Sequence, residues 1–128
     1  MSVRVYYEDT DFSGRVYHAS YFRFLERGRT EWLRECGFQQ NILAQNSGLA
    51  FVVTKLQAEF VAPAFMDDLL EIATDLSGFR GPVLNFRQVV SREGATLLVG
   101  AVDAVAIKNN RPVRPPPEIL AMLSKGAD

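Results

Sequence analysis

The segment "SYFRFLERGRTEWLRECG", Ser20 to Gly37, is one long stretch of helical period in a chain otherwise patterned mainly at period two. Tyr21, Leu25, Gly28 and Trp32 fall on one stripe, widened by Phe22, Phe24 and Cys36. Arg23, Arg27, Thr30, Glu31 and Arg34 lie mostly off it. Ser20 is the expected N-cap and Gly37 the left-handed stop. Arg27 and Arg34 flank Glu31 at helical spacing, so part of this charge is a solvated face. Glycine costs a helix interior about 1 kcal/mol relative to alanine. Gly28, in the middle of the stripe, therefore reads as a packing residue that lets the helix backbone approach a covering layer closely.

That layer is legible in the rest of the chain. Val3, Val5 and Tyr7 alternate with Arg4 and Tyr6, which predicts a short first strand. A second short helix is expected from Gln39 to Gln45. After Gly48 the pattern predicts strands over Phe51–Val61, Leu69–Phe79, Val83–Ser91 and Thr96–Ile107, joined by turn-forming "APAFMDD", "RGP" and "REGA". Consecutive strands with short links pair antiparallel. A lone helix with a wide apolar stripe must be covered by their sheet. The expected fold class is α+β, an antiparallel five-stranded sheet wrapped around one long central helix. The Pro-rich "RPVRPPPE" (Arg111–Glu118) reads as a stiff exit from the last strand, with a short terminal helix over Glu118 to Lys125.

With 128 residues the chain is expected to form a single domain, 1–128, with a core that needs no covalent staples. A net charge of -1 gives no bulk attraction for nucleic acid or an acidic membrane. Cys36 is the sole cysteine, which excludes an internal disulfide and a Cys-cluster metal site. No apolar run approaches the roughly 18 residues of a spanning helix. The N-terminus lacks a basic-then-apolar signal pattern, so a soluble cytoplasmic protein is expected.

The chemistry concentrates in "YYEDTDFSGRVYHASY", Tyr6 to Tyr21. Asp9, Asp11, Ser13 and Gly14 fit the first half of a calcium loop, but Ser20 stands where a bidentate glutamate is required, and a strand rather than a helix precedes. Asp9, Asp11 and His18 could ligate a metal, though a lone histidine is a weak signal. A Ser13–His18–Asp11 triad, or Cys36 with His18, is weaker still; Cys36 on the stripe reads as a small buried hydrophobe. The bland alternative is a turn, since Asp and Thr side chains accept or donate to nearby backbone groups.

The run "VRVYYEDTDFSGRVYHASYFRFLERGRTEWLRECGF" resembles the 4-hydroxybenzoyl-CoA thioesterase-like hot-dog family, and in detail its Tol–Pal-associated acyl-CoA thioesterase branch. The shared pattern is Y-Y-E-D-T-D-x-x-G-x-V-Y-H-x-x-Y, then E-R-x-R-T-E-x-L. Later matches are "AFVV" (Ala50–Val53), "APA" (Ala62–Ala64), "DD" with "LEI" (Asp67–Ile72) and "RG" (Arg80–Gly81), so the resemblance covers nearly the whole chain. It implies a hot-dog fold, dimers and often tetramers, and hydrolysis of acyl-CoA thioesters; no cofactor or metal is expected. The family's catalytic aspartate falls on Asp11 and its histidine on His18, with Tyr7 near the site. Glu26 matches a helix glutamate that related enzymes use, but stands about 130° from the stripe centre on a helical wheel, which makes it second-rank.

On that resemblance Asp11 acts as general base for water or as nucleophile. Gly14 lets the loop backbone approach the substrate, and the amides near Tyr17–Ser20 form the oxyanion pocket at the helix start. Arg80 is the expected CoA phosphate contact. Two features depart from the branch: Pro82-Val83 stands where a small hydroxyl residue is common, and Phe12 where small residues are frequent. Two rivals remain open, a hot-dog hydroxyacyl dehydratase and a non-enzymatic scaffold that binds acyl groups or an acyl-carrier protein.

Overall fold

The computed structural model describes residues 1–126, with side chains at positions 40, 42, 43 and 46 left aside; residues 127–128 of the expected domain lie outside it. The helical stripe folds as α1, His18–Glu35, and buries Tyr21, Phe24, Leu25, Gly28, Trp32 and Leu33. Its C-terminus ends as the sequence predicts. Gly37 adopts φ +104, its N–H donates to Arg34 O at 3.0 Å, and the Phe38 N–H donates to Leu33 O at 2.9 Å. This Schellman pairing satisfies two end carbonyls and brings Phe38 into the core beside Leu33.

The N-terminus corrects the sequence reading. The cap is Tyr17, not Ser20, and the helix starts two residues before Ser20. Two distant carbonyls decide this: the Val16 N–H donates to Ala64 O and the Tyr17 N–H to Asp9 O, each at 2.9 Å. Ser20 is then inside the first turn, where its hydroxyl accepts from Arg23 at 3.2 Å.

The strands are β1 (Ser2–Arg4), β2 (Ala50–Phe60), β3 (Leu69–Arg80), β4 (Val83–Arg92), β5 (Ala95–Lys108) and the two-residue β6 (Arg111–Pro112). A short helix α2 spans Gln40–Ser47, and α3 spans Pro117–Lys125. The sheet runs β1-β3-β4-β5-β2, with β6 pairing β5, and every pairing is antiparallel. The expected five-stranded sheet is this path; the Pro-rich exit adds the β6 pairing. The first strand is shorter than the alternation implied. Val3 and Val5 are buried, but Tyr7 opens a 3-10 turn over Tyr7–Asp9 and is 81% exposed.

Two apolar clusters pack α1 against the sheet. One groups Tyr21, Phe24 and Leu25 with Leu70, Ile72, Val90 and Leu98. The other groups Trp32 and Leu33 with Leu84, Phe86, Val102 and the α3 residues Ile119, Leu120 and Leu123. A polar link joins helix and sheet where Gln88 stands in the buried row of β4. Gln88 is fully buried; it accepts from Arg29 at 3.0 Å and donates to Leu25 O and Thr74 Oγ1 at 2.9 Å each. Gly28 makes this approach feasible, because a β-carbon there would stand 2.7 Å from Ile72 Cγ2. The sequence reading of Gly28 as a close-packing position holds.

Candidate functional site

The loop between β1 and α1 is held at both ends before any chemistry is considered. Asp9 is buried; its Oδ2 accepts from the Tyr6 N–H at 2.8 Å and its Oδ1 from Arg23 at 3.2 Å. The Asp11 N–H donates to Arg15 O at 2.9 Å, and Gly14 closes the turn with φ +80, its N–H donating to Asp11 O at 3.0 Å. Gly14 is needed for that positive φ rather than for close contact, since a β-carbon there would meet nothing within 4 Å. The half-calcium motif is thus divided. Asp9 is a structural acid paired with α1, while Asp11 points to solvent.

The Asp11 carboxylate uses one oxygen for the protein. Oδ1 accepts from Ser13 N at 2.8 Å and Ser13 Oγ at 2.6 Å. These bonds hold its pKa below the ordinary carboxylate value, the side-chain bond most and the backbone bond next, with smaller help from the charges of Arg15 and His18. His18 is the first residue of α1, and its exposed ring packs on Tyr17 with centroids 4.3 Å apart. At the helix start the Tyr17 N–H is taken by Asp9 O and the Ser20 N–H by Tyr17 O, so neither is free for a substrate oxygen. Of the Tyr17–Ser20 amides, His18 and Ala19 are the two without a protein acceptor among the described residues. Beside them lies a cavity of about 280 Å³ lined by Arg15, His18, Tyr21, Phe60 and Pro63. Tyr21 is buried there, its hydroxyl accepting from Ala64 N at 3.2 Å, and burial raises its pKa.

Two expected site residues are not brought to Asp11. Glu26 stands two turns down α1, about 12 Å beyond His18, and lines a different cavity of about 190 Å³ with Arg29, Phe51 and Phe86. Arg80 is exposed at the end of β3, about 35 Å along an extended strand from Leu69, whereas the 62–68 loop before Leu69 is the part that touches the helix start. Tyr7 and Phe12 are both exposed beside the loop. Among the described residues no group of three or more His, Cys, Asp and Glu could hold a metal ion, and no helix is long and apolar enough to cross a membrane.

Ser13 and Arg29 were missed as partners. The sequence offers Ser13 as a calcium-loop position or a nucleophile, whereas a serine two residues after an aspartate is also a turn-bond signal. Arg29 lies four residues after Leu25 and four before Leu33, which is the spacing of one helix row.

The model of the thioesterase-like superfamily matches residues 5–123. The chain belongs to that family. The acyl-CoA thioester hydrolase YbgC of Escherichia coli O6:H1 is 49% identical over 112 residues, covering 83% of this thioesterase-like chain and 83% of the relative. A probable thioesterase from Bartonella henselae is 39% identical, with a TM-score of 0.86 over 91% of this chain and 97% of that one. A 4-hydroxybenzoyl CoA thioesterase variant complexed with 4-hydroxybenzoyl CoA superposes with a TM-score of 0.91 over 96% of each chain at 22% identity, which shows the shared hot-dog fold.

Proposed function

We propose that this chain is an acyl-CoA thioesterase in which Asp11 is the catalytic carboxylate and the start of α1 is the oxyanion site. The observation that carries the reading is the Asp11 carboxylate itself. One oxygen is fixed by Ser13 and, among the described residues, the other has no partner, on a loop tied to a helix start where two amides have no acceptor. Similarity to acyl-CoA thioester hydrolases supplies the substrate class.

A thioester carbonyl is electrophilic, so hydrolysis needs an aimed oxygen and donors for the charge that develops. Asp11 Oδ2 takes a proton from water as the water oxygen bonds to the carbonyl carbon. The oxyanion accepts from the His18 and Ala19 amides, whose alignment with the helix dipole favours negative charge. Collapse breaks the carbon–sulfur bond and expels the CoA thiolate, which is protonated by Asp11 or His18. In the variant route Oδ2 bonds to the carbonyl carbon as the CoA thiolate leaves, and water then opens the anhydride. Label in Asp11 after single turnover in ¹⁸O water identifies this route, with water entering at the aspartyl carbon. The depressed Asp11 pKa keeps the carboxylate ionised at neutral pH for either route.

Asp11→Asn tests the reading by thiol release across short, long and aromatic acyl-CoAs. A fall in kcat of at least about 10² with normal folding is expected; unchanged turnover would remove Asp11 from the mechanism. Absence of activity on every thioester in the wild-type chain would favour an acyl or acyl-carrier-protein scaffold. The dehydratase rival is disfavoured because the acid lies on the loop that leads into α1 and the histidine is the first residue of that helix. Assembly is part of the proposal. β2 is an edge strand of eleven residues, with Val52, Val53 and Phe60 exposed. Long apolar edges are templates for another strand, and a second copy fits here. A monomer by light scattering at micromolar concentration would refute the dimer.

A further inference from the structure

The Asp11 carboxylate sits on an exposed loop where no packing fixes its side-chain rotation. Its orientation depends on two donors from a single residue, and both bind the same oxygen. Ser13 N lies 2.8 Å and Ser13 Oγ 2.6 Å from Oδ1. The shorter contact has the length of a charge-assisted O–H···O⁻ bond. No protein donor reaches Oδ2 among the described residues. We propose that Ser13 is a positioning residue that anchors Oδ1, fixes the carboxylate rotamer, and leaves Oδ2 as the oxygen that meets water or the thioester. This rests on the reading of Asp11 as the catalytic carboxylate.

The physical reason is the directionality of the pair. One bond would leave the carboxylate free to rotate about it. A backbone amide and a hydroxyl converging on one oxygen remove that freedom. Both bonds are made to the charged form and therefore favour it. The other charged groups facing the carboxylate are Arg15 on the loop and His18 on α1, and each contributes less than the Ser13 hydroxyl. Asp9, the second acid of the loop, is turned to Tyr6 and Arg23 instead. The backbone bond does not depend on the hydroxyl, so Ser13→Ala removes the bond from Oγ to Oδ1 and the long 3.4 Å bond that Oγ accepts from the Arg15 N–H.

The test compares wild type, Ser13→Ala, Ser13→Thr and Asp11→Asn. Two readouts are used: kcat and KM for a short-chain acyl-CoA across pH, and the carboxyl-carbon NMR titration of Asp11. In Ser13→Ala the Asp11 titration is expected to rise toward the ordinary carboxylate value, and the acid limb of kcat/KM to follow it. The plateau kcat should fall about tenfold with KM held, from loss of aim. Thr is expected to restore both, since it keeps the hydroxyl. Ser13 is exposed, so melting temperatures should agree within about 2 °C. The proposal is overturned if Ser13→Ala moves neither the titration nor the acid limb while Asp11→Asn is inactive. Full turnover in Asp11→Asn is a different failure: it overturns the reading of Asp11, and with it any role for Ser13 in aiming that group.

Discussion

Replacing Gly28 with alanine sets two physical effects against each other. In an exposed helix interior the change would stabilise by about 1 kcal/mol. Here the added β-carbon would stand 2.7 Å from Ile72 Cγ2, 3.1 Å from Gln88 Nε2 and 3.2 Å from Thr74 Oγ1. Carbon pairs are comfortable at roughly 3.5–4.0 Å, so about 1 Å must be found. The neighbours have little room to give it. Ile72 is buried in the sheet, and Gln88 is fully buried and bonded to Leu25 O, Thr74 and Arg29. Overpacking of this kind costs about 1–3 kcal/mol. Stretching the Gln88 bonds adds up to about 1–3 kcal/mol more. After subtracting the propensity gain, Gly28→Ala should destabilise by about 1–5 kcal/mol. Urea titration would report this as a lower midpoint at unchanged slope, and heating as a melting point lower by roughly 3–20 °C. A double-mutant cycle locates the cause. Ile72→Ala alone should cost about 2–5 kcal/mol through its cavity. Combined with Gly28→Ala, which partly fills that cavity, the total should fall short of additivity by at least about 1 kcal/mol. Equal or higher stability of Gly28→Ala, or strict additivity in the cycle, would refute the close-approach argument.

Arg29→Met removes the donor to Gln88 Oε1 and should cost about 1–3 kcal/mol by chemical denaturation. Arg29→Met with Gln88→Met replaces both partners and should lie closer to wild type. Asp9→Ala strips the acceptor from Tyr6 N and Arg23 and should destabilise by about 1–3 kcal/mol, while Asp9→Asn, which keeps an oxygen for Tyr6, should lose less. The Asp11 pKa is depressed in the folded chain, so kcat/KM should stay level as pH falls through the ordinary carboxylate range and drop only below it. Whatever stability that carboxylate contributes is present above its unfolded pKa and lost as pH falls through the folded one. An acid limb above the ordinary range would contradict the assignment.

The periodic features were legible because they are local. The α1 stripe, the four long strands, the stop at Gly37 and the tight spot at Gly28 follow from the helical repeat, the pleat and the missing β-carbon. The motif around Asp11 also carried the family. Two departures from the local pattern have different causes, remote acceptors in one case and a local turn in the other. Ser20 has the chemistry of an N-cap, yet Ala64 O and Asp9 O draw the chain into the helix two residues earlier. Tyr7 continues an alternation, yet the 3-10 turn removes it from the strand. By residue type alone Asp9 and Asp11 are equivalent, and in the sequence only the family resemblance singles out Asp11. Arg23, fourteen residues beyond Asp9, makes one a structural anchor and leaves the other exposed.

The sequence alone determined which segments are helix and strand, and which loop holds the acids and the histidine, because periodicity and turn chemistry act between near neighbours. Only the tertiary structure decided that Gln88 would meet Arg29 and the Leu25 carbonyl, that Glu26 and Arg80 stand away from Asp11, and which amides at the helix start remain free. Those outcomes depend on strand register and on which distant carbonyl claims each donor, and hydrogen bonds that cross the fold leave no period in the chain.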